Sequence, residues 1–285
     1  MSKKTLILIL RLLLSAVAVI IIVNKVDINK AIDNLSKASP VFIFLSLLAY
    51  STSKILAAFR INALYHTQQL FLSQKLNIKL TFLAMFYNLF IPLVGGEGYK
   101  SYWINKYYKT PIKSLIWAAL LDRGSGLAGL GIVTILVFNW SEFIIPYSEF
   151  SLLLIPIIFA AHFLVNKLFF KSFLSAWRKT TFYSLFIQLL QAVTAFFVVQ
   201  ALGIEQFQIE YVFVFMLASF AYVIPIVGAR EMAFVFGSQQ MGLDMELSLA
   251  IGILFYLALA ISSLAGSYFV LFPKSLTEEV KFTST

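Results

Sequence analysis

Charged residues lie inside otherwise apolar stretches of this sequence, and they come in three close pairs: Glu97 with Lys100, Asp122 with Arg123, and Arg230 with Glu231. Charge held in an apolar segment is costly, so its retention favours a function. Arginine stays ionised and its fork matches a phosphate. The pairs predict an anion-binding site with Arg123 and Arg230 as its main cations, balanced by the three carboxylates. The alternative is a set of salt bridges that lock helices together.

The spacing within each pair sets its expected partners. Glu97 and Lys100 are three residues apart, so they share a helix face and could pair. Adjacent residues on a helix diverge by about 100°, so Arg230 and Glu231 are expected to contact different partners. Asp122 and Arg123 precede a stripe of small residues that allows close helix packing: Gly124, Gly126, Gly129 and Gly131.

Clusters of proline and glycine precede two of the pairs. The first contains Pro92, Gly95 and Gly96, and the second contains Pro225 and Gly228. Proline removes a backbone donor and glycine frees the backbone, so a helix is expected to break at each cluster. Asn88 lies one turn before the first break and is expected to satisfy backbone groups freed there. The helix after each break would present N–H groups that favour an anion.

The composition identifies the environment of these residues. The chain has 285 residues, of which 60% are hydrophobic and 12% charged, and its mean hydropathy is +0.89. Soluble domains have roughly a quarter of their residues charged. An all-α integral membrane protein with a single domain over 1–285 is therefore predicted. The chain has no Cys and two separated histidines, so neither a metal centre nor a cofactor is expected.

Six segments have the roughly 20 apolar residues that a bilayer span needs: residues 5–23, 41–59, 114–139, 150–166, 181–202 and 247–272. Regions 80–107 and 211–241 contain the breaks. Broken backbone survives at membrane depth only where protein or water satisfies it, so both regions are predicted to be re-entrant hairpins. With these boundaries Arg60 ends the second span, as a cytoplasmic anchor or a headgroup ligand, and Lys54 is expected to snorkel to the interface.

The placement of the 22 Lys and Arg residues sets the orientation. With the N-terminus inside, only Lys25, Lys30 and Lys37 fall in external loops, and the later external loops carry acidic residues alone. This positive-inside pattern predicts a multi-pass protein of the cell membrane with both termini in the cytoplasm. The basic side is expected to face anionic lipid headgroups. Nucleic acid is not an expected partner, because no basic soluble module is present.

An internal repeat divides the chain into residues 1–140 and 141–285. Ile-Pro-Leu-Val-Gly at 91–95 recurs as Ile-Pro-Ile-Val-Gly at 224–228, and each half contains two spans, a broken hairpin and one span. Because each half has an odd number of full spans, the second is expected to be inverted. Inverted repeats with paired broken helices are typical of transporters that bind their substrate near the midplane.

Several motifs, in this order, resemble the transmembrane domain of lysylphosphatidylglycerol synthases: Arg60, Phe-Tyr-Asn at 86–88 with Pro92, Gly-Glu-Gly-Tyr-Lys at 96–100, Asp122-Arg123, and Gly228 with Arg230 and Glu231. That domain is the lipid-flippase part of the multiple peptide resistance factor and also occurs as free-standing proteins. The resemblance covers nearly the whole chain. It implies movement between leaflets of a lipid with an anionic or aminoacylated headgroup, with the matched residues in substrate binding or gating.

The sequence also departs from the family pattern. Lys100 stands where an Arg is usual, Val227 and Ala229 flank Gly228, and Tyr256 stands where a further Arg is expected, so the substrate can differ. The full synthases carry a soluble catalytic domain after the membrane part. Only residues 273–285 follow the last predicted span here, so no enzyme activity is expected.

Two alternatives to the flippase hypothesis stay open. The first is a non-catalytic membrane partner of a separate glycosyl- or aminoacyltransferase. The second is a headgroup-modifying membrane enzyme in which Glu97 and Asp122 act as acid and base.

Overall fold

The computed structural model describes residues 28–90, 95–142, 148–221 and 228–283. Three predicted features lie outside the described residues: the first span at 5–23 and the two prolines at the breaks, Pro92 and Pro225. Within the described ranges every regular element is a helix and no strand occurs, in agreement with the predicted all-α class.

The described helices, in chain order, are α1 (Ile28–Ser36), α2 (Pro40–Thr67), α3 (Gln74–Phe90), α4 (Gly95–Tyr108), α5 (Ile112–Trp140), α6 (Leu154–Phe169), α7 (Trp177–Ala201), α8 (Gln208–Phe220), α9 (Ala229–Gln240), α10 (Met245–Leu264), α11 (Ser267–Leu271) and α12 (Lys274–Thr283). Short 3-10 segments, Ser148–Leu153 and Lys171–Ala176, precede α6 and α7.

Among the described residues, five helical segments are long and apolar enough to cross a membrane: Pro40–Thr67, Ile112–Trp140, Phe150–Phe169, Lys171–Ala201 and Met245–Leu271. They match five of the six predicted spans. The largest difference is in α2, which has 28 residues and continues to Thr67. The helix therefore does not end at Arg60, and the prediction that Arg60 marks the end of the membrane span stays a prediction. Arg60 is paired within the protein, and the helix can continue past it.

Both broken regions fold into antiparallel helical hairpins. In the first, Thr81 of α3 faces Lys100 of α4, and Gly96 lies against Ala84. In the second, formed by α8 and α9, the rings of Phe215 and Phe234 lie 6.2 Å apart. In both hairpins the later residues of one helix face the earlier residues of the other, which is the antiparallel arrangement.

Glycine allows the close approach of the two helices in the first hairpin. A Cβ on Gly96 would lie 2.0 Å from the carbonyl oxygen of Ala84. Any side chain at this position would force the helices apart, because real Cβ atoms do not approach a backbone oxygen so closely. The Gly-Gly sequence at 95–96 thus both begins α4 and sets its packing distance from α3.

The chain forms two compact units, each described here by itself. The first-hairpin unit comprises the described residues within Leu47–Val133, Phe150–Gln191 and Ala258–Thr285, and it contains α3 and α4. The second-hairpin unit comprises those within Met1–Ser46, Thr134–Glu149 and Ala192–Leu257, and it contains α8 and α9. The unit boundaries fall within long helices, so this division is not the predicted division at residue 140. The single-domain and two-repeat assignments stay predictions.

Apolar side chains from the hairpin and its neighbours form the core of the first-hairpin unit. Its fully buried members include Leu64 of α2, Leu80 of α3, Ile104 of α4 and Leu276 of α12. The last of these places α12 against the hairpin. Two lysines of α3 also bind α12 outside the core. Lys75 and Lys79 both form ion pairs with Glu279, at 3.0 and 2.9 Å.

Candidate functional site

A buried ion pair joins α2 to α5 in the first-hairpin unit. The Arg60 guanidinium donates from Nε to Asp122 Oδ1 at 2.7 Å and from Nη2 to Asp122 Oδ2 at 2.8 Å. Its third nitrogen, Nη1, donates to the hydroxyl of Ser184 on α7 at 3.0 Å. Arg60 is only 7% exposed. Three helices therefore meet at one arginine whose charge is balanced by a single carboxylate.

Glycines of α5 make room for this cluster. A Cβ on Gly126 would lie 3.3 Å from Arg60 Nη1, and one on Gly129 would lie 2.9 Å from the backbone of Ser184. Gln188 of α7 donates to the carbonyl oxygen of Gly126 at 3.1 Å. The small-residue stripe after Asp122 thus packs against α7, which fits the expectation that a second helix approaches there.

Asp122 and Arg123 point in different directions, because successive helical residues diverge by about 100°. Asp122 faces inward to Arg60, whereas Arg123 is exposed. The sequence predicted that the three carboxylates together hold Arg123 and Arg230, and the structure adds Arg60 as a direct partner of Asp122.

Lys100 is the second buried cation of this unit. It is 3% exposed. Its Nζ donates to Thr81 Oγ1 at 3.1 Å and lies 5.7 Å from the ring centroid of Tyr65. Glu97 is half-buried on the same helix, but no ion pair forms between the two among the described contacts. The pairing of Glu97 with Lys100 that their spacing allows is not observed, because Lys100 turns toward α3.

The first break is stabilised by a side chain. Asn88, near the end of α3, accepts a hydrogen bond from the backbone N–H of Gly96 at 2.8 Å. Gly96 lies in the first turn of α4, where N–H groups have no partner within the helix. The structure confirms that Asn88 satisfies backbone at the break. Gly95, which was also predicted at this break, is the first residue of α4.

The second-hairpin unit holds Arg230 in an aromatic cage. The guanidinium carbon lies 5.5 Å from the ring centroid of Phe215, 5.3 Å from that of Phe234 and 5.1 Å from that of Phe255. Arg230 is 8% exposed. Each face offers a cation–π attraction that strengthens when water is excluded. The cage fixes a full positive charge in the first turn of α9.

The start of α9 depends on a glycine. Gly228 has φ of +86°, in the left-handed region that other residues avoid. The next charged residue, Glu231, is half-buried and forms no ion pair with Arg230 among the described contacts. That Arg230 and Glu231 contact two different partners stays a prediction. Arg230 and the Arg60 cluster belong to different units, so each is described separately.

Sequence reasoning missed several residues of these sites. Ser184 and the three cage phenylalanines carry no signal by themselves in a chain with 29 Phe residues. His162 was also missed: it is 8% exposed and lies 3.2 Å from Ser125 Oγ. In the part of the chain that the structure describes, no group of three or more His, Asp and Glu side chains is placed to hold a metal ion.

An open apolar groove lies in the second-hairpin unit. It has a volume of about 650 Å³ and is lined by Thr134, Ile135 and Phe138 of α5, Phe213 and Leu217 of α8, and Phe236, Gly237, Gln240 and Met241 at the end of α9. The same hairpin thus carries a buried cation at the start of α9 and an apolar groove at its end.

Comparison with known proteins identifies the family. The family model described as the lysylphosphatidylglycerol synthase TM region matches residues 8–266, which is nearly the whole chain. The chain therefore belongs to this family, as its motifs suggested. A search of curated proteins found no match.

Proposed function

We propose that this member of the lysylphosphatidylglycerol synthase transmembrane family moves an anionic or modified phospholipid, or a lipid-linked intermediate, between membrane leaflets. The observation that carries the proposal is the pair of antiparallel hairpins, each with a fixed buried cation in its second helix: Lys100 in α4 and Arg230 in α9. Paired broken helices with buried charge are the usual site of transporters. The protein acts as a transporter rather than an enzyme in this proposal.

The hairpin lengths support a re-entrant arrangement. Helix α3 has 17 residues and α8 has 13. At about 1.5 Å per residue, they extend roughly 25 and 20 Å, less than the ~30 Å hydrocarbon core. Each hairpin enters the bilayer and returns to the same side. Residues 5–23 and the five described spans supply the six full crossings, and the two hairpins complete an inverted repeat.

Contacts between loops support the proposed orientation. On the side assigned to the exterior, Lys30 forms an ion pair with Asp244 at 3.3 Å, and the backbone N–H of Glu142 donates to the carboxylate of Glu210. On the cytoplasmic side, Gln68 donates to the carbonyl oxygen of Ser172 at 3.3 Å. Each contact joins loops that the positive-inside pattern places together. Both termini lie in the cytoplasm in this arrangement.

The chemistry of the sites fits a lipid headgroup. Arg230 offers a forked donor for a phosphate, and its aromatic cage holds the cation in place. Glu97 and Glu231 are half-buried carboxylates near the two breaks. They supply counter-charges for an amine on a modified headgroup. The apolar groove that ends at Met241 accepts an acyl chain of the same lipid.

Reconstitution into liposomes tests the proposal. Fluorescent phospholipids with different headgroups are incorporated, and a membrane-impermeant quencher scores their exchange between leaflets. Exchange above that of empty liposomes is expected for the wild-type protein, and loss of exchange for Arg230→Met. Methionine leaves an apolar side chain for the phenylalanine cage, so the variant should stay folded. Lys179→Met, at an exposed position, is the control for loss of one positive charge.

Two outcomes would count against transport of this kind. Equal rates of lipid exchange by wild type and Arg230→Met would show that Arg230 does not take part in the substrate site. No exchange of any common phospholipid by folded protein would favour the alternative roles, a membrane partner of a separate transferase or a headgroup-modifying enzyme.

A further inference from the structure

Lys54 lies in the middle of α2. The helix extends from Pro40 to Thr67, so Lys54 is about 20 Å along the axis from either end. A lysine can snorkel only over the length of its own side chain. The expectation that Lys54 snorkels assumed a span ending near residue 59, whereas the helix continues to Thr67. The structure places this cation near the middle of a 28-residue apolar helix.

The helix directs Lys54 toward protein rather than toward lipid. The residues one turn before and after it on the same face are Tyr50, which is 3% exposed, and Ala58, which is 0% exposed. Lys54 itself is half-buried. Lys54 thus lies on the protein-facing side of α2, and part of its surface stays accessible.

Lys54 is attracted by the ring of Tyr50 and by Asp122, a carboxylate that it shares with Arg60. Its Nζ lies 4.6 Å from the ring centroid of Tyr50, and no carboxylate among the described residues forms an ion pair with it. Asp122, the acidic residue nearest along the neighbouring α5, is taken by both donors of Arg60. One cation–π contact does not offset the cost of a lysine in the middle of an apolar helix. Arg60 and Lys54 thus share one carboxylate, which leaves one of their two positive charges unbalanced among the described residues of the unit.

The polar groups next to Lys54 suit an anion. Ser51 lies one turn away on the same face of α2, and its hydroxyl is 3.0 Å from that of Ser262 on α10. Hydroxyls and an ammonium both donate to phosphate oxygens. A protein that used Lys54 only as a structural lock would be expected to place a second carboxylate here, in addition to the one that pairs with Arg60.

We infer that Lys54 is a midplane phosphate-binding residue that makes translocation selective for lipids with a net negative headgroup. The inference rests on the proposed function and deepens it. Because Arg60 and Lys54 share Asp122, one unbalanced positive charge remains for an anionic headgroup to meet halfway across. A zwitterionic headgroup carries its own amine and gains less from this charge.

The experiment compares wild type with Lys54→Met, Lys54→Arg and the exposed control Lys179→Met in liposomes. Labelled phosphatidylglycerol and phosphatidylcholine are scored separately. Lys54→Met should lower phosphatidylglycerol exchange about tenfold and leave phosphatidylcholine exchange unchanged, because one charge-assisted contact is lost. Lys54→Arg should retain the preference for the anionic lipid. Equal loss for both lipids, or none for either, would overturn the inference while the proposed function stands.

A binding measurement covers the case in which wild type exchanges neither lipid. Melting temperatures of detergent-purified protein are recorded with phosphatidylglycerol, phosphatidylcholine or inorganic phosphate. Stabilisation by phosphatidylglycerol that is lost in Lys54→Met supports the site even without transport. Stabilisation by inorganic phosphate alone would assign the site to a free anion and overturn the lipid assignment. Lys54→Gln is the second variant if Lys54→Met fails to fold, and it is judged by the same criteria.

Discussion

Arg60 and Asp122 form a two-point ion pair between α2 and α5, with both donor–acceptor distances below 3 Å. The side chains are 8% and 20% exposed. A pair buried to this extent is stable only while both members are present, because removing one leaves an uncompensated charge in a medium of low polarity. The pair fixes the relative position of two spanning helices within the first-hairpin unit.

Asp122→Ala should therefore destabilise the protein by about 3–5 kcal/mol, measured by denaturant unfolding in detergent micelles. The double substitution Arg60→Met with Asp122→Leu should recover most of this loss, because it removes both charges together. Arg123→Ala is the matched control at an exposed position, with an expected change within about 0.5 kcal/mol. Similar losses for Asp122→Ala and Arg123→Ala would contradict this account of the pair.

Asn88 should control the opening of the first break. Asn88→Ala removes the acceptor for the Gly96 N–H, and the cost of an unsatisfied buried donor is about 1–3 kcal/mol. Faster hydrogen exchange at Gly96 is expected, measured by mass spectrometry on peptides that cover 95–108. Asn88→Asp keeps an acceptor oxygen and should retain protection. Unchanged exchange in Asn88→Ala would show that another group satisfies this amide.

The two nearby glycines of α4 should respond oppositely to alanine. Gly96→Ala places a Cβ 2.0 Å from the Ala84 oxygen, whereas a Cβ on Gly98 meets nothing within 4 Å. Gly96→Ala should destabilise the hairpin, by roughly 1–3 kcal/mol or more for overpacking. Gly98→Ala should be neutral or stabilising by up to about 1 kcal/mol, from helix propensity. Equal melting temperatures for the two variants would refute the close packing of α3 and α4.

Cysteine labelling tests the orientation, and the chain has no Cys to interfere. Lys106 and Glu205 are both exposed and belong to loops assigned to opposite sides. An impermeant maleimide should label Glu205→Cys in intact cells and Lys106→Cys only after permeabilisation. The reverse labelling pattern would show that the orientation is opposite to the predicted one. Labelling of both positions from the same side would contradict the re-entrant hairpin.

Acidification should release α12 from the first hairpin. The hydrogen bond from Lys79, together with Lys75, holds the pKa of the Glu279 carboxyl below its ordinary value. A carboxyl with a lowered folded-state pKa stabilises the fold above the ordinary value of about 4.3, and this contribution disappears as the pH falls below it. Protease cleavage within α12 should rise below that pH. Glu279→Gln should show the same sensitivity at neutral pH, and an unaltered profile would contradict the role of this carboxylate.

Much of the secondary structure was predictable because apolar runs and Pro-Gly breaks are strong local signals. The hairpin containing Asn88 and Gly96 follows from that pattern. The pairing of Arg60 with Asp122 does not, because it depends on which faces of two distant helices meet. The suggestion that Glu97 could pair with Lys100 considered only spacing along α4. The competing contacts of Lys100 with Thr81 and Tyr65 come from other helices.

The contact of α12 with the first hairpin bears on biosynthesis. Lys79 and Glu279 are separated by 200 positions in the chain, and Leu276 belongs to the hydrophobic core that also contains residues of the hairpin. The first hairpin is therefore translated and delivered to the membrane long before α12, the helix that packs against it. Until α12 is synthesised, the apolar side chains that pack with Leu276 in the finished protein are not covered by this helix. Nascent chains halted before residue 276 should therefore engage chaperones or insertion factors at this surface, and the finished chain should release them.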